Sequence, residues 1–317
     1  MKAGLIFLMA GGVWLSAFSA AGQSEKQEAA VQSATDANGA PGHVVALNVL
    51  VLDREKRPVA GPDGKAIQVS EDGAPRTVQS VTGADGPVSV CLVIDESGST
   101  KAMRPAINDA VVALVKGLPS GSEVMVVHFA DKAFLDLPFT PVATVDEGKL
   151  RMTVSHGGTA LHDAVVAAEN FMLEKAHQKR RALVIISDGG DNASSLNLEQ
   201  AIFKISKPGA PLLYALGFSD DRDSPSEHRH DEERLKLLTR AGGGVTLMAR
   251  NAREMASKTD EISAMIGSQI VVSFASAEST GKWHKLEVRG PQGGKGEEVH
   301  AMPGFYELKP GAASGAK

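Results

Sequence analysis

The sequence of 317 residues contains one cysteine, Cys91. That excludes an internal disulfide and a thiolate metal cluster, and leaves the redox compartment undecided. There is no excess of basic charge either: 33 Lys and Arg face 38 Asp and Glu, a net charge of -5. A surface built to collect phosphate backbones is therefore excluded, and no nucleic-acid partner is expected. After the first two dozen residues no second long apolar run occurs, which excludes a polytopic membrane protein. What is present, 43% apolar and 22% charged residues, is the composition of a folded globular chain, long enough for about two domains or one enlarged domain.

The amino end has the layout of a secretory signal peptide. Lys2 precedes an uncharged stretch from Ala3 to Gly22, apolar at Leu5, Ile6, Phe7, Leu8, Val13, Trp14 and Leu15 and small or polar near its end. Small residues at Ser19 and Ala21 place cleavage after Ala21, with Ala20 and Gly22 as neighbouring alternatives. An uncleaved anchor is the competing reading, which the Gly11-Gly12 pair weakens. No cysteine follows the stretch, so lipid attachment there is excluded. Residues 22–43 are rich in Gln, Ala, Ser, Glu and Gly and read as a flexible tether. The expected location is outside the cytoplasm, periplasmic or secreted.

Val45, Leu47, Val49 and Val51 repeat with the period of two of a half-buried strand. Ile67 and Val69 lead to Asp72-Gly73, a hairpin-turn signal, after which Val78 and Val81 resume the pattern. From Val88 to Ile94 the chain becomes almost continuously apolar, the signature of a strand buried on both faces of a parallel sheet. Alternation follows. Helices are expected over 102–118, 160–175, 198–205, 232–240 and 252–266, between strands over 123–129, 134–139, 182–186, 212–218 and 245–248, with a charged loop over 219–231. Strand and helix in turn imply an α/β fold with a doubly wound, mainly parallel sheet flanked by helices. The chain then returns to β character at 270–274, 283–288 and 299–308. Neither β flank can stand alone, so the two are expected to pair as one small β domain, with Val44 to Val51 and the Trp283 to Leu308 strands in a shared sheet. The expected organisation is a signal peptide at 1–21, a tether at 22–43, a β segment at 44–86, the α/β domain at 87–267, a second β segment at 268–309 and a disordered tail at 310–317.

Three segments carry the chemistry. Asp95-Glu96-Ser97-Gly98-Ser99 follows the first buried strand, Gly157-Gly158-Thr159 opens a helix, and Ser187-Asp188-Gly189 follows the fourth strand. Each taken alone is what a strand-to-helix turn uses for capping. Together they converge, because in a 3-2-1-4-5-6 sheet the first and fourth strands lie side by side at the point where ligands bind. Asp95 and Asp188 are then expected to face one another with Ser97, Ser99 and Thr159 nearby. This all-oxygen set suits a hard cation, Mg2+ first, with Mn2+ or Ca2+ as alternatives.

The Asp-x-Ser-x-Ser turn, the later Thr and the later Ser-Asp-Gly resemble the metal-ion-dependent adhesion site of von Willebrand factor type A domains, over roughly Val88 to Ile266. The resemblance implies that Ser97 and Ser99 ligate the metal directly. It also implies that Asp95 and Asp188 act directly or through water, and that Thr159 joins according to conformational state. The wider pattern, with Glu71-Asp72-Gly73, Gly158 to Ala164, Ser187 to Asn192 and Pro303-Gly304-Phe305-Tyr306, is similar to the exported, acidobacterial-type branch of VWFA-related domain proteins. Glu96 adds a carboxylate at a position that the motif leaves free.

Rival chemistries fit less well. A dehalogenase-type phosphatase wants a second Asp where Ser97 stands, and no Gly-x-Ser-x-Gly elbow exists for a serine hydrolase. His156, His162 and Asp163 near Thr159 read as structural. Gly293-Gly294-Lys295-Gly296 reads as a turn rather than a phosphate loop, and His228, His230 and Asp231 as solvated loop residues. Cys91 reads as a small core hydrophobe. The expectation is a non-enzymatic, exported adhesion or scaffold module that recognises another protein, through an acidic side chain offered to the cation. The alternatives are a metal-dependent hydrolase and a structural subunit whose metal only stabilises the fold.

Overall fold

The computed structural model describes residues 33–35, 41–59, 67–84, 86–151, 156–219, 224–276, 281–290 and 296–307. The expected signal peptide, most of the tether, the tail and the 291–295 stretch of the Gly-rich turn lie outside them. Five strands come first: β1 (Ser33–Thr35), β2 (Pro41–Leu52), β3 (Gln68–Glu71), β4 (Ala74–Arg76) and β5 (Val78–Thr82). The alternating part opens with β6 (Ser89–Asp95), α1 (Arg104–Lys116), β7 (Glu123–Phe129), β8 (Ala133–Pro141) and α2 (Leu161–Lys175). It continues through β9 (Arg181–Ser187), α3 (Leu198–Ile205), β10 (Leu212–Phe218), α4 (Pro225–Ala241), β11 (Thr246–Ala249) and α5 (Ala252–Ser268). Last come β12 (Ile270–Ser276), β13 (Trp283–Arg289), β14 (Glu298–His300) and β15 (Gly304–Tyr306).

The central sheet runs β11-β10-β9-β6-β7-β8. All its pairs are parallel except β7 with β8. This is the doubly wound, mainly parallel α/β fold expected from the alternation. Every residue of β6, β7 and β10 is buried, because helices cover both faces and successive side chains point to opposite sides. On one face Leu92, Ile94, Val126, Val184 and Ile186 pack against Ile107, Val111 and Leu114 of α1 and Ile262 and Ile266 of α5. On the other, Val93, Met125, Val127 and Ile185 meet Leu161, Val165 and Met172 of α2, Ile205 of α3, and Leu235 and Leu238 of α4. Cys91 belongs to this second cluster and is fully buried.

The flanking strands interleave. β12 lies between β2 and β5, antiparallel to both, and β14 adds to the other part of β2. A second sheet runs β15-β13-β3-β4. Of the carboxyl-terminal strands only β12 and β14 therefore join β2, while β13 and β15 pair elsewhere, in a sheet with β3. The strand expected over 299–308 is two short strands with Pro303 between them, a residue that cannot donate to a ladder. The β3–β4 turn is made by Asp72 (φ 51°) and Gly73 (φ 81°), the paired positive φ angles of a tight hairpin. Asn48 of β2 joins these strands to the central sheet, donating to the Ala210 carbonyl at 3.1 Å and accepting from the Arg181 amide at 2.9 Å.

One expectation fails clearly. Residues 225–231, read as part of a charged loop, form the first half of α4. Ser224 caps the helix by accepting from the Glu227 amide, Glu227 returns a bond to the Ser224 amide, and Pro225 occupies the first turn.

Candidate metal centre

The site lies at the carboxyl ends of β6 and β9, neighbours at the point where the winding of the sheet reverses. Asp95 ends β6 and is fully buried. Its Oδ1 accepts the Ser97 amide at 2.8 Å and its Oδ2 accepts the Ser187 hydroxyl at 2.6 Å. The first bond folds the chain back, so that the Ser97 and Ser99 hydroxyls stand 3.1 Å apart. Ser99 Oγ donates across the crevice to Asp188 Oδ2. Asp188 Oδ1 accepts the Gly190 amide at 3.0 Å.

Four of the five expected residues, Asp95, Ser97, Ser99 and Asp188, thus sit in one connected set. Thr159 lies on an adjoining loop that is tied to the first: the His156 amide donates to the Glu96 carbonyl at 3.0 Å. Thr159 is buried, with its amide on Asn192 Oδ1 at 2.8 Å and its carbonyl accepting the Asn192 and Ala193 amides. Among the described residues no hydrogen bond joins its hydroxyl to the other four.

Burial pushes the Asp95 carboxyl up to about 7, and the facing charge of Asp188 adds to that, against the bonds from Ser187 and Ser97. An anion so placed is costly unless a positive charge compensates it. The donors are carboxylates and hydroxyls, which fit a hard, oxygen-seeking cation. Among the described residues no group of three or more His, Cys, Asp and Glu is placed to hold a metal ion. A site with two carboxylates and hydroxyls for the rest is consistent with that.

Several supporting residues carried no recognisable role in the sequence. Asp131, just beyond β7, accepts the Gly158 amide at 2.7 Å. A Cβ on Gly157 would lie 2.4 Å from Asp131 Oδ2, and one on Gly158 2.6 Å from Asn192 Oδ1. The Gly157-Gly158 pair exists for this close approach, and the doubled glycine was its sequence signal. Ser187 joins the two aspartate loops, since its hydroxyl also accepts the Gly189 amide at 3.0 Å.

His162 and Asp163 tie the start of α2 to the loop that follows β9. The His162 amide donates to Asp191, and Asp163 accepts the Ser195 amide and hydroxyl and the Leu196 amide. Burial alone would raise the Asp163 carboxyl, but these bonds outweigh it and hold it low. Asp231 pairs with Arg234 at 2.6 Å within α4.

Residues 90–190 match the family model for the von Willebrand factor type A domain. No curated protein matches the sequence. Among solved structures, a von Willebrand factor type A protein from Catenulispora acidiphila is similar over 84% of this chain and 75% of its own, at 13% identity and a TM-score of 0.50. The PilB minor pilin from Streptococcus sanguinis covers 61% of this chain and 63% of that one, at 14% identity and a TM-score of 0.46. The pilus adhesin SpaC from Lactobacillus rhamnosus GG covers 81% and 47%, at 10% identity and a TM-score of 0.47. At such identities the likeness concerns the fold. The matched segment runs from within β6 to just beyond β9 and includes all five residues of the crevice, so the match to the von Willebrand factor type A domain covers the part of the chain that holds the site.

Proposed function

We propose that the chain is an exported adhesion or scaffold module that binds another protein through a divalent cation held by Asp95, Ser97, Ser99, Asp188 and Thr159. The observation that carries this reading is the chain of contacts from Asp95 through Ser97 and Ser99 to Asp188, at the switch point of the sheet. A divalent cation bound there supplies positive charge and an open coordination position for a partner's carboxylate. The residues around it perform the positioning. Ser187 fixes Asp95, the Gly190 amide fixes one oxygen of Asp188, and Asp131 and Asn192 hold the loop that presents Thr159. Binding rather than hydrolysis is proposed because the Ser97 and Ser99 hydroxyls bond each other and Asp188, not an imidazole able to serve as general base.

Among the described residues no helix is long and apolar enough to cross a membrane. Export rests on the sequence of residues 1–21. Pull-down from the exported fraction with the full chain tests the proposal. Partner capture in Mg2+ that disappears with EDTA and with Asp188→Ala supports it, and capture that survives both refutes it.

A further inference from the structure

Arg234 of α4 reaches into the loop that carries Asp188. Its Nη1 donates to the Gly189 carbonyl and to Asp231 Oδ1, the latter at 2.6 Å, and the side chain is mostly buried. Gly189 has φ +92°, and a Cβ there would stand 2.5 Å from the Asp231 carbonyl oxygen, so the loop backbone lies directly against α4.

The consequence follows from peptide planarity. The Gly189 carbonyl and the Gly190 N–H belong to one rigid unit, so the bond that fixes the first also aims the second. That N–H is the donor to Asp188 Oδ1 at 3.0 Å, while Asp188 Oδ2 accepts from Ser99. A cationic donor on the carbonyl also polarises the peptide and strengthens its N–H as a donor. The next peptide back has its own amide on Ser187 Oγ, which bonds Asp95 Oδ2. One guanidinium therefore braces the loop that orients both carboxylates.

We infer that Arg234 is a positioning residue for the metal centre, setting the Gly189–Gly190 peptide plane and through it the rotamer of Asp188. α4 thereby becomes part of the site, although Arg234 lies 46 residues beyond Asp188 and outside the matched segment of 90–190. The metal half of this inference rests on the proposed function, and the orientation half does not.

Two measurements on the full chain separate them. In EDTA, Arg234→Ala is expected to speed hydrogen exchange at the Gly190 amide about tenfold while leaving the Ser97 amide unchanged, the scale of one lost charge-assisted hydrogen bond. In Mn2+ titrations the same variant should bind about tenfold more weakly. Arg234→Lys, which keeps a donor for the carbonyl, should fall between. Lys236→Ala, which removes an exposed pair with Glu232 on the same helix, should change neither. Gly189→Ala should reproduce the Arg234→Ala pattern by pushing the peptide off α4. If Arg234→Ala loses helix content, Arg234→Lys becomes the deciding variant. Wild-type exchange at Gly190 in that deciding variant overturns the inference. Faster exchange in a chain whose wild type ignores Mn2+ retains the positioning of Asp188 and overturns the metal reading.

Discussion

Replacing Asp95 by Asn should make the metal-free protein more stable at alkaline pH while removing its response to divalent cations. The folded protein holds this carboxyl at about 7 against about 3.9 in an unfolded chain, so ionising it in place costs on the order of 4 kcal/mol once the pH exceeds 7. The sign follows from the direction of the shift: the folded value is raised, so stability is fully present below about 4 and falls as the pH rises through 7. Asparagine carries no charge and avoids that loss. It does forfeit one acceptor, because its amide nitrogen must face either the Ser97 amide or the Ser187 hydroxyl, at about 1–2 kcal/mol. The net gain is about 2 kcal/mol at pH 8, or roughly 4–8 °C in Tm for a domain of this size. Thermal unfolding in EDTA between pH 4 and 8.5 measures it. The variant should melt higher at pH 8 and lower at pH 4, and saturating Mg2+ should raise only the wild type, by ~3 kcal/mol at a hundredfold excess over Kd. A variant less stable at every pH, or a difference that does not vary with pH, would refute the electrostatic reasoning.

Ser97→Ala and Thr159→Ala should each weaken the Mg2+-induced rise in Tm, with Thr159→Ala showing its larger effect on partner capture; an unaltered rise in Ser97→Ala would remove that hydroxyl from the site. Glu169 of α2 is buried with neither carboxylate oxygen hydrogen-bonded, and burial raises its carboxyl well above the usual range against the pull of Lys207. Its contribution is full below about pH 4.5 and declines as the pH rises, so Glu169→Gln should raise Tm at pH 8.5 more than at pH 4.5, as calorimetry can check. Burial also pushes the Cys91 thiol up, so a thiol reagent should label the native protein negligibly and the denatured protein stoichiometrically.

The inner strands of the central sheet were legible because they are nearly continuous apolar runs. Val88 to Ile94, Ala182 to Ile186 and Leu212 to Phe218 can only be buried on both faces, and α3 was bounded correctly from its apolar spacing. The start of α4 was missed for the opposite reason. Ser226 to Glu233 has no apolar stripe, and the signal that remained was the Ser224 to Glu227 capping box behind Pro225. In the β flanks, the period of two told which residues face a core but not which strand lies alongside, so β13 and β15 were expected beside β2 and pair elsewhere. The carboxylates and hydroxyls of the crevice were readable as a motif. Asp131 and Arg234 were not, and Asn192 was visible in the wider pattern without its role, because each acts on a loop distant in sequence, and no local spacing encodes that approach.

The pairing of β2 with β12 also sets an order of events for a chain that emerges from its amino end. Val49 has no partner strand until Ile270 has been made, whereas the βα units between them can begin to form from neighbouring segments. Sheets closed by such distant contacts form slowly. Until then β2 presents the alternating Val45, Leu47 and Val49 as an unpaired edge, the kind of surface that recruits other chains. β2 is thus the strand most in need of protection during synthesis, until β12 arrives to pair with it.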